Sequence, residues 1–180
     1  MRRFLIAAAT VVAVVALPLS SASASSAHFK HGGTPVCTVS LSGASSSTTC
    51  GGALAGLGNG DLVLETTVSG FAVYQCQNNG SNTAPGQNKV LVGPVTTPTT
   101  IPGSEIKNGN VSFTTNPAVL SAADTVSGAT AGCPNPNWTG VNPVLTTTDI
   151  TLTISQGGIL LFTCTASNEQ GLSGSVPLAC

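Results

Sequence analysis

Ionisable side chains are scarce in this chain: only 6% of its 180 residues are Asp, Glu, Lys or Arg. Its two arginines, Arg2 and Arg3, both lie at the extreme N-terminus, and beyond them three lysines (Lys30, Lys89, Lys107) face six acids. Nucleic-acid binding needs a basic surface to displace counterions from phosphates, so that class is excluded, and an anionic membrane surface is disfavoured for the same reason. Histidine is equally sparse. His28 and His31 both precede the first strand-like run, so no imidazole is expected within reach of a nucleophile. Closely spaced Cys/His pairs of the C-x2-C kind are missing, which argues against a structural zinc site and leaves no metal or other cofactor to expect. Aromatic residues make up 4% of the chain, and Trp138 and Tyr74 are its one tryptophan and one tyrosine.

Acid pairs and nucleophile motifs fail as well. Asp61 and Glu65 share a strand face, but four residues of extended chain separate them by about 13 Å, beyond the ~5–9.5 Å of glycoside hydrolysis. Gly171-Leu172-Ser173-Gly174-Ser175 lacks the last glycine of G-x-S-x-G, and Asp124-Thr125-Val126 lacks the glycine of an aspartic-protease loop. No catalytic residue is expected.

What the chain does contain begins with an export signal over residues 1–24. Arg2-Arg3 supply its positive start, 4–19 its apolar run and Ala22-Ser23-Ala24 a small-residue cleavage site. Sixteen apolar residues fall short of the ~20 that span a bilayer as a helix. No cysteine at the cleavage site offers a lipid anchor, and the stretch ending Pro177-Leu178-Ala179-Cys180 does not read as a hydrophobic tail. Secretion is therefore expected, either with release or with non-covalent retention at the cell surface and without a stable membrane anchor.

An even set of six cysteines in an oxidising compartment implies three disulfides. Six cysteines admit fifteen connectivities, of which pairing in chain order is the simplest: Cys37 with Cys50, Cys76 with Cys133, Cys164 with Cys180. The first pair would face across a hairpin formed by 36–41 and 48–54.

Residues 25–35 read as a flexible N-terminal arm, and 36–180 as one domain. Strand signals dominate that domain. Leu62, Leu64, Thr66 and Val68 alternate with Val63, Glu65 and Thr67, after which Gly70 predicts a bulge. The run 89–95 reads as an edge strand because Pro94 cannot donate to a ladder. Residues 116–142 read as a long connector tied down by Cys133, with one helical turn expected within 119–126. Ile150, Leu152 and Ile154 form a hairpin with Leu160, Phe162 and Cys164, and a three-residue loop 156–158 would set Ile154 opposite Leu160. Short antiparallel strands with almost no helix define an all-β class: an antiparallel β-sandwich, immunoglobulin-like in the finer expectation.

Binding chemistry centres on the amide-rich loop Asn78 to Asn88, with Asn82 between them, and on Trp138 and Tyr74. Amides beside an aromatic ring can grip a sugar by hydrogen bonding and stacking. Against this stands packing, with Trp138 capping the core beside Cys133 and Tyr74 lying beside Cys76.

Three segments carry a resemblance: Ala55-Gly56-Leu57-Gly58-Asn59-Gly60-Asp61; Tyr74-Gln75-Cys76-Gln77-Asn78 with Asn82-Thr83-Ala84-Pro85-Gly86-Gln87-Asn88; and Cys133-Pro134-Asn135-Pro136-Asn137-Trp138. Through them the chain resembles small secreted actinobacterial proteins of uncharacterised function, which implies export and an all-β domain and no particular activity. The reading is a non-enzymatic structural or binding module at or near the cell surface, whose partner is a cell-wall polysaccharide or another surface protein. The alternatives are a carbohydrate- or wall-binding domain using 78–88 and Trp138, and a small hydrolase or a protease inhibitor presenting 131–138.

Overall fold

The computed structural model describes residues 26–180; the segment 1–24, expected to be an export signal, lies outside them. Twelve strands are present among the described residues: His28–Phe29 (β1), Val36–Ser42 (β2), Ser45–Ala55 (β3), Leu62–Gln77 (β4), Thr83–Pro85 (β5), Val90–Ile101 (β6), Val111–Thr114 (β7), Ala118–Ser121 (β8), Val126–Ser127 (β9), Thr139–Gln156 (β10), Ile159–Ser167 (β11) and Gly174–Pro177 (β12). One helical turn, Gly128–Ala131 (α1), precedes β10. The strands form two antiparallel sheets packed face to face. The first runs β12-β2-β3, with β1, β7 and β8 also paired to β3; the second runs β11-β10-β4, with β5 and β6 paired to β4 and β9 to β10.

Alternation of side chains creates the core between them. Along β4 every even-numbered residue from Leu62 to Cys76 is buried, and β10 answers with Leu145, Ile150, Leu152 and Ile154. Leu54 and Leu120 approach from the first sheet, and all of these side chains are almost fully excluded from water. Gly70 marks the expected bulge, because the ladder to β6 slips between Val68 and Gly70. A Cβ there would lie 2.0 Å from the Thr146 carbonyl oxygen, so only glycine allows β10 to approach so closely.

The three disulfides join Cys37 to Cys50, Cys76 to Cys133 and Cys164 to Cys180. Cys37 and Cys50 are direct cross-strand partners, and closing so short a loop contributes about 3 kcal/mol on the chain-entropy account. β6 is an edge strand as expected, but it extends through Pro98 to Ile101.

Four expectations are corrected. Part of the segment expected to be a flexible arm is tied down: His28 and Phe29 pair with Ala55 and Leu54, and Lys30 N–H and Gly33 C=O bond Ala53. Phe29 of the first sheet packs against Phe162 of the second, with ring centroids 4.5 Å apart and the rings tilted by 39°. A two-residue strand has no periodicity to detect, which is why its pairing is invisible in the sequence. Secondly, 119–126 holds β8 rather than a helical turn; the turn is α1, where Ser127 Oγ caps Thr130 N–H at 3.1 Å. Thirdly, the connector 116–142 contains β8, β9, α1 and the start of β10.

The fourth correction concerns the final hairpin. Its loop has two residues, Gly157 and Gly158, both at positive φ (58° and 82°), which suits the right-handed twist of the strands. Such a loop pairs Ser155 with Leu160 and would turn Ile154 towards Leu161. A bulge absorbs one residue, so Ile154 meets Phe162 and Leu152 meets Cys164. The faces come out as the alternation requires, two residues further along than a three-residue loop would place them.

Candidate functional site

Most of the residues selected for binding are consumed by the fold. Tyr74 turns inward, is 2% exposed and donates its hydroxyl to the Ala123 carbonyl at 2.8 Å. Burial raises its phenol pKa, and the Asp124 carboxylate acts in the same direction. Its ring is core and not a stacking plate. Trp138 is half-buried against the core, in the packing position weighed above. Asn78 Oδ1 accepts from Gly80 and Asn82 N–H, both at 2.9 Å, so Asn78 and Asn82 organise their own turn. Asn88 Nδ2 donates to the carbonyls of Ala129 and Thr130, at 3.4 and 3.1 Å, satisfying the end of α1. The structure gathers Tyr74, Asn78, Asn88 and Trp138 around the Cys76–Cys133 end of the molecule as scaffolding.

A surface not singled out in the sequence lies on the outer face of the second sheet. Val73 of β4 and Val144 of β10 are direct partners, 37% and 62% exposed, and form an apolar floor. Thr83, Ala84 and Pro85 of β5 make one wall; Gln75 and Asn142, joined by a 3.0 Å amide hydrogen bond, make the polar end. Together they enclose an open groove of about 520 Å³. Beyond Val73 the floor continues to Phe71, which pairs with the 86% exposed Leu91 and carries the Lys89 ammonium 4.3 Å from its ring centroid. Strands β4, β5 and β10 supply this site, the last of them far from the other two in sequence. The signal available in the chain was the outward alternation of Phe71, Val73 and Gln75.

Much of the rest of that face is hydroxyl-bearing. Thr165, Thr151, Thr67 and Thr96 stand in one row across β11, β10, β4 and β6, with the last two hydroxyls 2.8 Å apart. In the next row Asp149 accepts hydrogen bonds from Ser167 and Thr148 at 2.6 Å and, more weakly, from Ser69 at 3.5 Å. The Ser167 bond, then those from Thr148 and Ser69, hold the carboxyl below its ordinary pKa against the opposing effect of burial. A carboxylate so stabilised is a weak base. Asp61 accepts from Gly103 N–H at 2.8 Å, and Glu65 sits 3.5 Å from Thr153 Oγ1, so each acid has its own separate surroundings.

Fold and face together define a disulfide-stapled, two-sheet β-sandwich with a hydroxyl-rich outer face and an apolar groove on it. Compared with protein-family models, with curated proteins and with solved structures, the chain matches none.

Proposed function

We propose that the protein is a secreted, non-enzymatic module at or near the cell surface, and that it binds through the outer face of its second sheet. The groove floored by Val73 and Val144 carries this reading, because exposed apolar surface bounded by an amide pair is the form that specific binding sites take. Further along the same face, past the Asp149 row, the threonine row points to a hydroxyl-bearing partner such as a cell-wall polysaccharide. Three disulfides fit an extracellular location, and among the described residues no helix is long and apolar enough to cross a membrane. The sheet orders β12-β2-β3 and β11-β10-β4-β6 are read as a variant of immunoglobulin-like connectivity.

The test is retention of the purified protein on insoluble peptidoglycan, chitin and cellulose. Val144→Asp, which places a charge on the groove floor without touching the core, is expected to abolish retention, and Trp138→Ala to leave it intact. Loss with Trp138→Ala alone would return the site to the loops at the Cys76–Cys133 end. A protease-inhibitor reading has one observation in its favour: exposed residues 134–137 follow the Cys133 disulfide and are braced by bonds from Asn137 and Trp138 N–H to Asn135. A panel of proteases assayed with the intact protein tests it.

A further inference from the structure

β10 breaks its ladder to β4 at one end of the groove. Val141 faces Gln75 and Val144 faces Val73, so Asn142 and Pro143 together stand opposite Tyr74 alone. Asn142 takes up the extra length at φ 49°, in the left-handed region that asparagine tolerates better than most residues. The bulge sets its amide against Gln75, where Asn142 Nδ2 donates to Gln75 Oε1 at 3.0 Å. That bond leaves Gln75 Nε2 as a donor and Asn142 Oδ1 as an acceptor, the two kinds of group that a peptide unit needs.

The remainder of the groove is aliphatic, with a cation at its far side. Val73 and Val144 floor it, Ala84 and Pro85 wall it, and no acid lines it. The Tyr74 ring turns inward and Phe71 already carries Lys89 on its ring, which leaves no aromatic plate in the groove for a sugar to stack on. Lys89 directly precedes β6, whose first residue Val90 pairs with Ala72, so its stem starts beside Val73 and its ammonium ends 4.3 Å from the Phe71 centroid. No carboxylate pairs with it among the described residues. Asp149, one row beyond Phe71 on this face, is bonded to Ser167 and Thr148. From Gln75 to Phe71 the strand runs about 13 Å, the span of roughly three or four extended residues.

We infer that the groove takes a short peptide of small aliphatic residues ending in a free carboxylate. One peptide unit meets the Gln75–Asn142 pair, the side chains lie on Val73 and Val144, and the carboxylate reaches Lys89. This rests on the reading of the groove as the binding site, and it names peptide as what enters there, leaving any glycan to the hydroxyl-bearing rows. Charge decides for a carboxylate: the cation stands at one end of the floor and nothing acidic lines the rest.

Titration of the isotope-labelled, oxidised protein with N-acetyl-Ala-Ala-Ala and with its C-terminal amide, followed by backbone amide chemical shifts, tests this. The acid is expected to move the resonances of Val73, Gln75 and Val144. The amide should bind about threefold more weakly, as befits one exposed ion pair, and Lys89→Gln, an exposed change, should close that gap. Val144→Asp should abolish both responses. Equal affinity of acid and amide for wild type, a gap that survives in Lys89→Gln, or groove shifts with an N-acetylglucosamine oligomer but with neither peptide, overturns the inference. Retention on peptidoglycan without any peptide response overturns it and leaves the wall-binding reading standing. A peptide response without retention on peptidoglycan, chitin or cellulose supports it and sinks that reading instead.

Discussion

Ser46 Oγ and Thr147 Oγ1 lie 2.8 Å apart in the interior, one on β3 and the other on β10, and join the two sheets by a hydrogen bond between buried side chains. Neither hydroxyl is more than 2% exposed as a residue, so each depends on the other in place of water. Removing one partner strands the other. Ser46→Ala and Thr147→Val should each lower stability by about 1–3 kcal/mol, and the double variant should lose less than the sum, because no orphaned hydroxyl remains. Denaturant unfolding of all four proteins with disulfides intact checks this; strict additivity would show that the bond contributes nothing.

Two other buried hydroxyls have no such partner. Thr48 on β3 and Thr66 on β4 are fully buried, and neither Oγ1 has a hydrogen-bond partner among the described residues. Valine has the same shape without the desolvation penalty. Thr48→Val and Thr66→Val should each raise stability by about 1 kcal/mol, read as a higher denaturant midpoint at unchanged slope. A drop at either position would place an ordered water there.

The contrast among these hydroxyls shows how far the sequence could be read. Leu62 to Val68 and Ile150 to Ile154 announce their inner faces by a period of two, and the cysteines pair in chain order. Ser45, Ser46 and Ser47 gave a turn signal instead, since serine has weak strand preference. They extend β3 because tertiary contacts, including the bond to Thr147, outweigh local propensity. The groove was illegible for a related reason. Val73, Pro85 and Val144 become neighbours only through register across three strands, and amides such as Asn78 and Asn88, which look like ligand contacts in sequence, satisfy backbone groups instead.

Tyr74 gives a pH signature that can be read without a variant, because it is the chain's only tyrosine. Its folded pKa lies above the unfolded value, chiefly through burial. The associated stability is fully present below the ordinary phenol pKa of ~10 and is lost as pH rises through the folded value. Phenolate absorbance should therefore appear later in the native protein than in denaturant and coincide with loss of near-UV dichroism. Tyr74→Phe, which removes the hydroxyl bonded to Ala123, should abolish the signal and cost about 1 kcal/mol at neutral pH.

Gln156, at the end of β10, fastens the glycine-rich crossover from the first sheet to the second. Its Nε2 donates to the Gly58 and Gly60 carbonyls at 3.0 and 2.7 Å, and its Oε1 accepts from Gly58 N–H at 2.9 Å, with the residue 7% exposed. Gln156→Glu preserves the shape but turns a carboxylate oxygen towards two carbonyl oxygens. That repulsion, added to desolvation, raises the carboxyl pKa in the folded state, so the variant's stability is greatest below the unfolded value of ~4.3 and falls as pH rises through the folded one. Unfolding at pH 4 and pH 7 should show Gln156→Glu losing at least about 1 kcal/mol more than wild type at the higher pH. Equal losses at both would mean that the loop opens to water, in which case Gln156→Ala should be equally mild.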